Sequence, residues 1–239
     1  MTLSSPGSYE GGDIQRRADG ERAVWACTDG SKRPQREMKE MNLRQEIENY
    51  RPVNDQERAD KEQMLSFMAQ NPDCLTRSNR TAHFTASIWT VNREYTRTLM
   101  VYHNIYDSWS WIGGHADGEE DLRSVALREL QEETGVGRAV LVTPDIFSLE
   151  VLTVNGHVKR GIYVPSHLHM NVTYLARADE GEALAVNREE NQAVKWWSFE
   201  EALRVPKEPW MVEHIYRKLI QKVRDSEVRR LKDRVATTA

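Results

Sequence analysis

The stretch Gly113–Val136, GGHADGEEDLRSVALRELQEETGV, constrains the fold of this chain more than any other part of it. Asp121 to Thr134 reads as an amphipathic helix, stopped by Gly135, the residue type that most easily adopts the left-handed conformation of a helix cap. At about 100° per residue, Leu122, Val125 and Ala126 share one arc, the face expected to lie on a sheet. Glu129, Glu132 and Glu133 fall on the same arc, because residues three and four apart are neighbours on a helix surface. Leu127 and Leu130 lie to one side and broaden the buried arc. The stripe therefore begins apolar and turns acidic. A solvated helix end accounts for this poorly. Carboxylates four apart repel, and at a C-terminus they oppose the helix dipole, by about a few tenths of a kcal/mol to 1 kcal/mol each. A divalent cation removes both objections. Clustered carboxylate oxygens are hard ligands that suit Mg²⁺ or Mn²⁺, and such sites commonly hold substrate phosphates as well. Gly113 and Gly114, just ahead of the helix, allow close backbone approach.

Gly114, Glu120, Arg128-Glu129-Leu130, Glu132-Glu133 and Gly135-Val136 stand at spacings that resemble the Nudix box, with every defining position filled. From ordinary residue frequencies, a chance match somewhere in such a chain has a probability of ~10⁻⁷. The resemblance implies an α/β/α sandwich around a mixed sheet. It also implies hydrolysis of a diphosphate joined to another group, usually a nucleoside, with Mg²⁺ or Mn²⁺. Carried over by position, Glu129, Glu132 and Glu133 are the metal ligands, with the Gly113 carbonyl as a further one. Glu129 is also the base that activates water, and Arg128, helped by Glu120, orients it. Glu189-Glu190 resembles a loop where some members place another carboxylate. One departure stands in Trp109-Ser110-Trp111-Ile112-Gly113-Gly114: Ile112 occupies a position where many members have Pro, so the loop lacks that rigid residue.

The rest of the chain is organised around this box. Residues 1–41 are rich in Ser, Gly and charge, with one apolar cluster around Val24–Cys27, and disorder is expected there. Met38 and Met41 offer later translation starts. Residues 42–79 form an N-terminal helical segment: 42–70 has a loose helical stripe through Ala59, Met64, Leu65, Phe67 and Met68. Asn54 and Glu57 stand there at capping-box spacing, and Pro52 and Asn71-Pro72 bracket it. Strands are expected at 83–91, 97–102, 109–112, 138–142, 147–154, 168–176 and 193–199, followed by a short helix at Glu200–Arg204. The box and these strands make 80–205 the Nudix-like domain. A last helix starts near Pro209, with Val212, Ile215, Leu219 and Val223 at helical spacing, so 206–239 reads as a C-terminal helix and tail. The fold expected is α/β, with extra helices at both ends of the sandwich.

Several residues near the box are candidates for substrate contact. His115 directly follows Gly114, His167 and His169 alternate onto one face of a strand, and His103 and His157 lie close in sequence. Lys159 and Arg160 are candidate phosphate partners. Trp111 is placed to stack on a base, whereas Trp109, Trp196 and Trp197 read as packing residues. The chain's 239 residues carry a net charge of −4, so no global basic field argues for nucleic acid, although Lys222–Arg234 is locally basic. Its two cysteines make no disulfide framework, and no apolar run approaches the ~18 residues of a membrane span. A cytoplasmic protein acting on a small diphosphate compound is expected, with homodimerisation through the terminal helices by burial of Met64, Phe67 or Ile215. Two other functions compete. An isopentenyl diphosphate isomerase shares this fold, and Gly114-His115 resembles the Gly-His of its metal site, but Gly113 stands where those isomerases carry Cys. A non-catalytic ligand-binding domain usually loses box glutamates, and all are present here.

Overall fold

The computed structural model describes residues 42–159 and 161–226. The expectations for 1–41, for Cys27, Met38, Met41 and Arg160, and for the basic stretch beyond Ser226 lie outside the described residues. In chain order the elements are α1 (Leu43–Asn49), α2 (Asp55–Gln70), β1 (Ala82–Val91), β2 (Arg97–His103), β3 (Ser108–Ser110), β4 (Ile112–His115), α3 (Leu122–Thr134), β5 (Val140–Leu141), β6 (Ser148–Val154), β7 (His157–Lys159), β8 (Ile162–Val164), β9 (His167–Arg177), β10 (Asn191–Ser198), α4 (Phe199–Ala202) and α5 (Pro209–Met211). From α5 the chain runs through a π-helical turn, Val212–Tyr216, and continues as α-helix over 217–226.

β1 is the axis of an eight-stranded mixed sheet. On one side it runs parallel to β9 along its whole length, from Ala82↔Leu168 to Val91↔Arg177. Its other edge is shared: β2 meets it at Val91↔Thr98, and β4 pairs with it from Thr85↔His115 to Ile88↔Ile112. β10 and β3 pair with β2, while β6 and β5 divide the outer edge of β9. β7 and β8 make a separate hairpin. All ten residues of β1 are buried, as a strand covered on both faces requires.

Alternation along β1 divides the molecule. Phe84, Ala86 and Ile88 point to the face where Leu99, Val101, Val172 and Tyr174 join them against α1, α2 and α3. Trp89 and Val91 point the other way, against Val212, Ile215, Tyr216 and Leu219 of the C-terminal helix. Trp89 and Tyr216 stack there with centroids 5.6 Å apart. His83, Thr85 and Ser87 share the face of Trp89, but at the other end of the strand, so one half of this face is apolar and the other polar.

The N-terminal helices differ from the single segment read over 42–70. They are two, separated around Pro52, because a proline disfavours helical geometry in the residue before it. Asn54 caps α2 by accepting from Glu57 N at 2.9 Å, but Glu57 does not return the bond. Its side chain is fully buried, accepting from Tyr50 Oη at 2.7 Å, Ser148 Oγ at 2.9 Å and Lys222 Nζ at 3.0 Å, with Lys218 Nζ at 3.3 Å. Lys218 also reaches Glu150 Oε1 at 3.0 Å. This ionic cluster ties α2, the β6 edge and the C-terminal helix together. Asp60 adds a bond by accepting from the edge amide of Val151 at 3.1 Å. Met64 and Ile215 are fully buried inside one chain, which corrects their assignment to a dimer interface: the sheet has already used both side chains. No described helix is long and apolar enough to cross a membrane.

Removing one partner of a buried ion cluster leaves the others charged and unpaired. Glu57→Ala is expected to cost about 3–5 kcal/mol in denaturant unfolding. A loss below about 1 kcal/mol would show that the cluster does not hold the terminal helices to the sheet.

Candidate active site

The glycine pair and α3 build the acidic end of the site. β4 places Gly113 opposite Ser87 and Gly114 opposite Ala86. A Cβ at Gly113 would run into the Ala86 carbonyl, and a Cβ at Gly114 would run into the Glu129 carboxylate. So the neighbouring strand requires the first glycine, and the acidic helix requires the second. α3 starts at Asp121, whose carboxylate accepts from Arg123 N, and ends at Gly135 with φ 77. Leu122, Val125, Ala126 and Leu130 are buried beneath it, which carries Glu129 and Glu133 to the glycine strand.

Glu133 is 3% exposed, held by Gly113 N–H at 3.2 Å and by Asn191 Nδ2 at 2.8 Å. Oxygens of Glu129, Glu133 and Glu190 lie within 4.8 Å of one another. Arg128 Nη2 donates to Glu129 Oε1 at 3.4 Å, and its Nε lies 3.9 Å from Glu132 Oε1. Burial pushes the Glu133 carboxyl up to about 8; Asn191 and Gly113 oppose this, and repulsion from Glu129 and Glu190 adds to it. Burial, then Glu132, also raises Glu129, against the pull of Arg128. Hard oxygen donors, mutual repulsion, burial and a glycine pair that leaves the approach clear all fit a Mg²⁺ or Mn²⁺ ion.

A cavity of about 660 Å³ opens beside the carboxylates. Trp111, His115, His169, His103 and Lys159 all line it. Trp111 stands edge-on to Tyr216 at 6.0 Å. His103 Nδ1 accepts from Ile105 N at 3.1 Å, and burial, then Lys159 and His157, pushes this imidazole down to about 4. Burial likewise takes His115 down to about 3, with Arg77 adding to it, and His169 to about 2, with His115 adding to it. Glu132 lies at the rim with its side chain 57% exposed, so Glu190 rather than Glu132 completes the tight carboxylate group. Glu120 is exposed in the turn before α3, and among the described residues no hydrogen bond joins it to Arg128.

The sequence reading passed over several lining residues. Arg77 and Arg80 enter from the loop before β1, and Ile162, Tyr163 and Val164 from β8, an element not expected at all. His83 stands in 83–91, a stretch expected only as a strand. Its signal was the period-two polar series His83, Thr85, Ser87 within that strand. Thr85 and Ser87 donate to Asn171 Oδ1 at 3.0 and 2.9 Å, and Asn171 donates to Glu150 at 3.1 Å, so a buried polar network joins the cavity floor to the ionic cluster.

A family model described as NUDIX domain matches residues 81–222, more than half of the chain and through most of the C-terminal helix. No curated protein matches it. Among solved structures, an Ap4A hydrolase of C. elegans is 19% identical over 61% of this chain and 97% of that one, with TM-score 0.45. A NUDIX family hydrolase from Clostridium perfringens is 21% identical over 59% and 95%, with TM-score 0.43. The NUDIX domain of Shewanella oneidensis NrtR, solved with ADP ribose, is 19% identical over 67% and 96%, with TM-score 0.44.

The raised Glu133 carboxyl has a thermodynamic consequence. Between an ordinary value of 4.5 and about 8, the folded chain keeps a proton that the unfolded chain has released. The stability tied to that proton is complete below 4.5 and is lost as pH rises through about 8. In chelator, Glu133→Gln should therefore gain thermal stability relative to the parent as pH rises through this window, and Mn²⁺ should reverse the order. Parallel melting curves at every pH would refute the assignment.

Proposed function

The chain belongs to the Nudix family, whose domain model matches more than half of it, and from that premise we propose a divalent-metal-dependent hydrolase that cleaves the diphosphate linkage of a nucleoside diphosphate-linked or similar small molecule. The observation that carries this reading is the convergence of Glu129, Glu133 and Glu190 within 4.8 Å, beside a glycine pair. The adjoining cavity of about 660 Å³ has the size of a small-molecule pocket. Mg²⁺ or Mn²⁺ held by Glu129, Glu133 and Glu190, with Glu132 at the rim, would neutralise phosphate oxygens and activate water.

The chain's own residues supply the rest. Glu129, steadied by Arg128 and raised by burial, accepts the proton of the attacking water. The water oxygen bonds to phosphorus, the bridging P–O bond breaks, and two phosphate-ended products leave with one water consumed. Arg80 and Lys159 face the cavity as counter-charges for phosphate, and Trp111 and Tyr106 offer ring faces to a base, worth about 1–3 kcal/mol per stacked base.

The test is product release across nucleoside triphosphates, oxidised nucleotides, ADP-ribose, nucleotide sugars, dinucleoside polyphosphates and isopentenyl diphosphate, each with Mg²⁺, Mn²⁺ or EDTA. Metal-dependent cleavage that falls by about 10²-fold or more in Glu129→Gln is the expected result. Failure to cleave any compound while metal binding persists would favour a binding role, and double-bond migration in isopentenyl diphosphate would favour an isomerase. Gly114→Ala separates site from scaffold. Its methyl meets the flexible end of the Glu129 side chain first, so the fold should persist while activity drops by about 10²-fold, the cost of a misplaced catalytic group. Full activity in Gly114→Ala would remove Glu129 from the mechanism.

A further inference from the structure

On the sheet face opposite α3, four histidines meet at the cavity wall: His83 from β1, His115 from β4, and His167 and His169 from β9. Strand register brings them together. His83 pairs with His169, and His115 pairs with Thr85, two residues along β1 from His83 and on the same face. The His83 ring lies 5.2 Å from that of His115, 5.0 Å from that of His167 and 5.1 Å from that of His169. One ring nitrogen from each of His83, His115 and His169 lies within 4.8 Å of the other two.

Hydrogen bonds fix the tautomer of two of the four rings. His83 Nδ1 lies 3.0 Å from the Asn79 carbonyl, and His167 Nδ1 lies 2.9 Å from the Pro165 carbonyl. A carbonyl only accepts, so both Nδ1 atoms carry the proton and both Nε2 atoms carry the lone pair. His83 is 4% exposed, and among the described residues its buried Nε2 has no hydrogen-bond partner. His167 Nε2 lies 3.1 Å from His169 Nε2. Ring stacking accounts for the centroid distances. It does not account for a buried lone pair left bare beside two further imidazoles.

We propose that His83, His115 and His169, with His167 at their edge, form a second metal site, selective for a transition-metal ion of the zinc class. Neutral imidazole suits such ions, whereas Mg²⁺ prefers oxygen ligands. The His83 Nδ1–H bond to the Asn79 carbonyl is the outer-shell bond that a ligating histidine commonly makes, fixing tautomer and ring orientation together. Three histidines leave a coordination position open. Because His115 directly follows the glycine pair, that position faces the cavity that the carboxylates also line, where an anionic oxygen of a bound compound can complete it. The site does not depend on the hydrolytic reading, since metal binding is read directly.

The full chain, stripped of metal, is titrated with Co²⁺ as a spectroscopic probe in excess Mg²⁺, then with Zn²⁺ as competitor. The parent should develop the intense visible bands of four- or five-coordinate Co²⁺, insensitive to Mg²⁺ and erased by Zn²⁺. Glu129→Gln should keep them, while His115→Gln and His169→Gln should weaken binding by about 100-fold or more, beyond the effect of losing an outer-shell partner. Weak octahedral bands displaced by Mg²⁺, or bands lost in Glu129→Gln and kept in the histidine variants, would overturn the proposal. If the histidine variants do not fold, the parent's band intensity and its response to Mg²⁺ and to Glu129→Gln decide the matter. A chain that binds Co²⁺ this way but cleaves nothing would refute hydrolysis and leave the histidine site standing.

Discussion

The contact between β4 and α3 is the constraint on which the rest of the site depends. A helix cannot bring carboxylates to a sheet edge unless that edge lacks side chains where they arrive. Gly114 supplies the gap into which Glu129 fits, and Gly113 lets β4 lie close to β1 while its amide holds Glu133. The apolar first turns of α3, through Leu122, Val125 and Ala126, anchor the helix so that its acidic end is not free to turn towards water. Burial disfavours the charged form of Glu133, a cost that a bound cation would offset.

β1 extends the same logic to the whole molecule. Its apolar face accepts the helices that carry the carboxylates, and its other face is divided between Trp89 under the C-terminal helix and the polar series His83, Thr85, Ser87 under the cavity. The polar residues are not idle in a buried setting. Asn171 gathers Thr85 and Ser87 and passes their hydrogen bonds to Glu150, which Lys218 neutralises. A cavity floor built from a satisfied network is rigid, which the proposed cleavage of a diphosphate would need.

Some of this was legible in the chain and some was not, and the division follows the range of the interactions. The stripe on α3, its Gly135 stop and the cap at Asn54 are each written within a few residues, so local spacing exposes them. The strands at 83–91, 97–102, 147–154 and 168–176 were readable from alternation and β-branched content. The hairpin from His157 to Val164 was not, because exposed Val158, Ile162 and Tyr163 give no burial pattern to read. Glu57 was misread in part: its cap spacing was visible, but its buried ion pairs come from lysines more than 150 residues later in the sequence.

The sequence by itself determined the family, the α/β class and the acidic helix, because those follow from local spacing and from which residues cannot face water. It also named the carboxylates, the glycine pair and several of the histidines that line the cavity. Which of them come together is set by the tertiary fold alone. Glu190 joins Glu129 and Glu133 because the next residue, Asn191 on β10, is hydrogen-bonded to Glu133 on α3. His83 joins His169 through a parallel pairing between strands more than eighty residues apart, and His115 through the antiparallel pairing of β4 with β1. Register between distant strands depends on how the whole sheet closes, and no window of sequence contains that information.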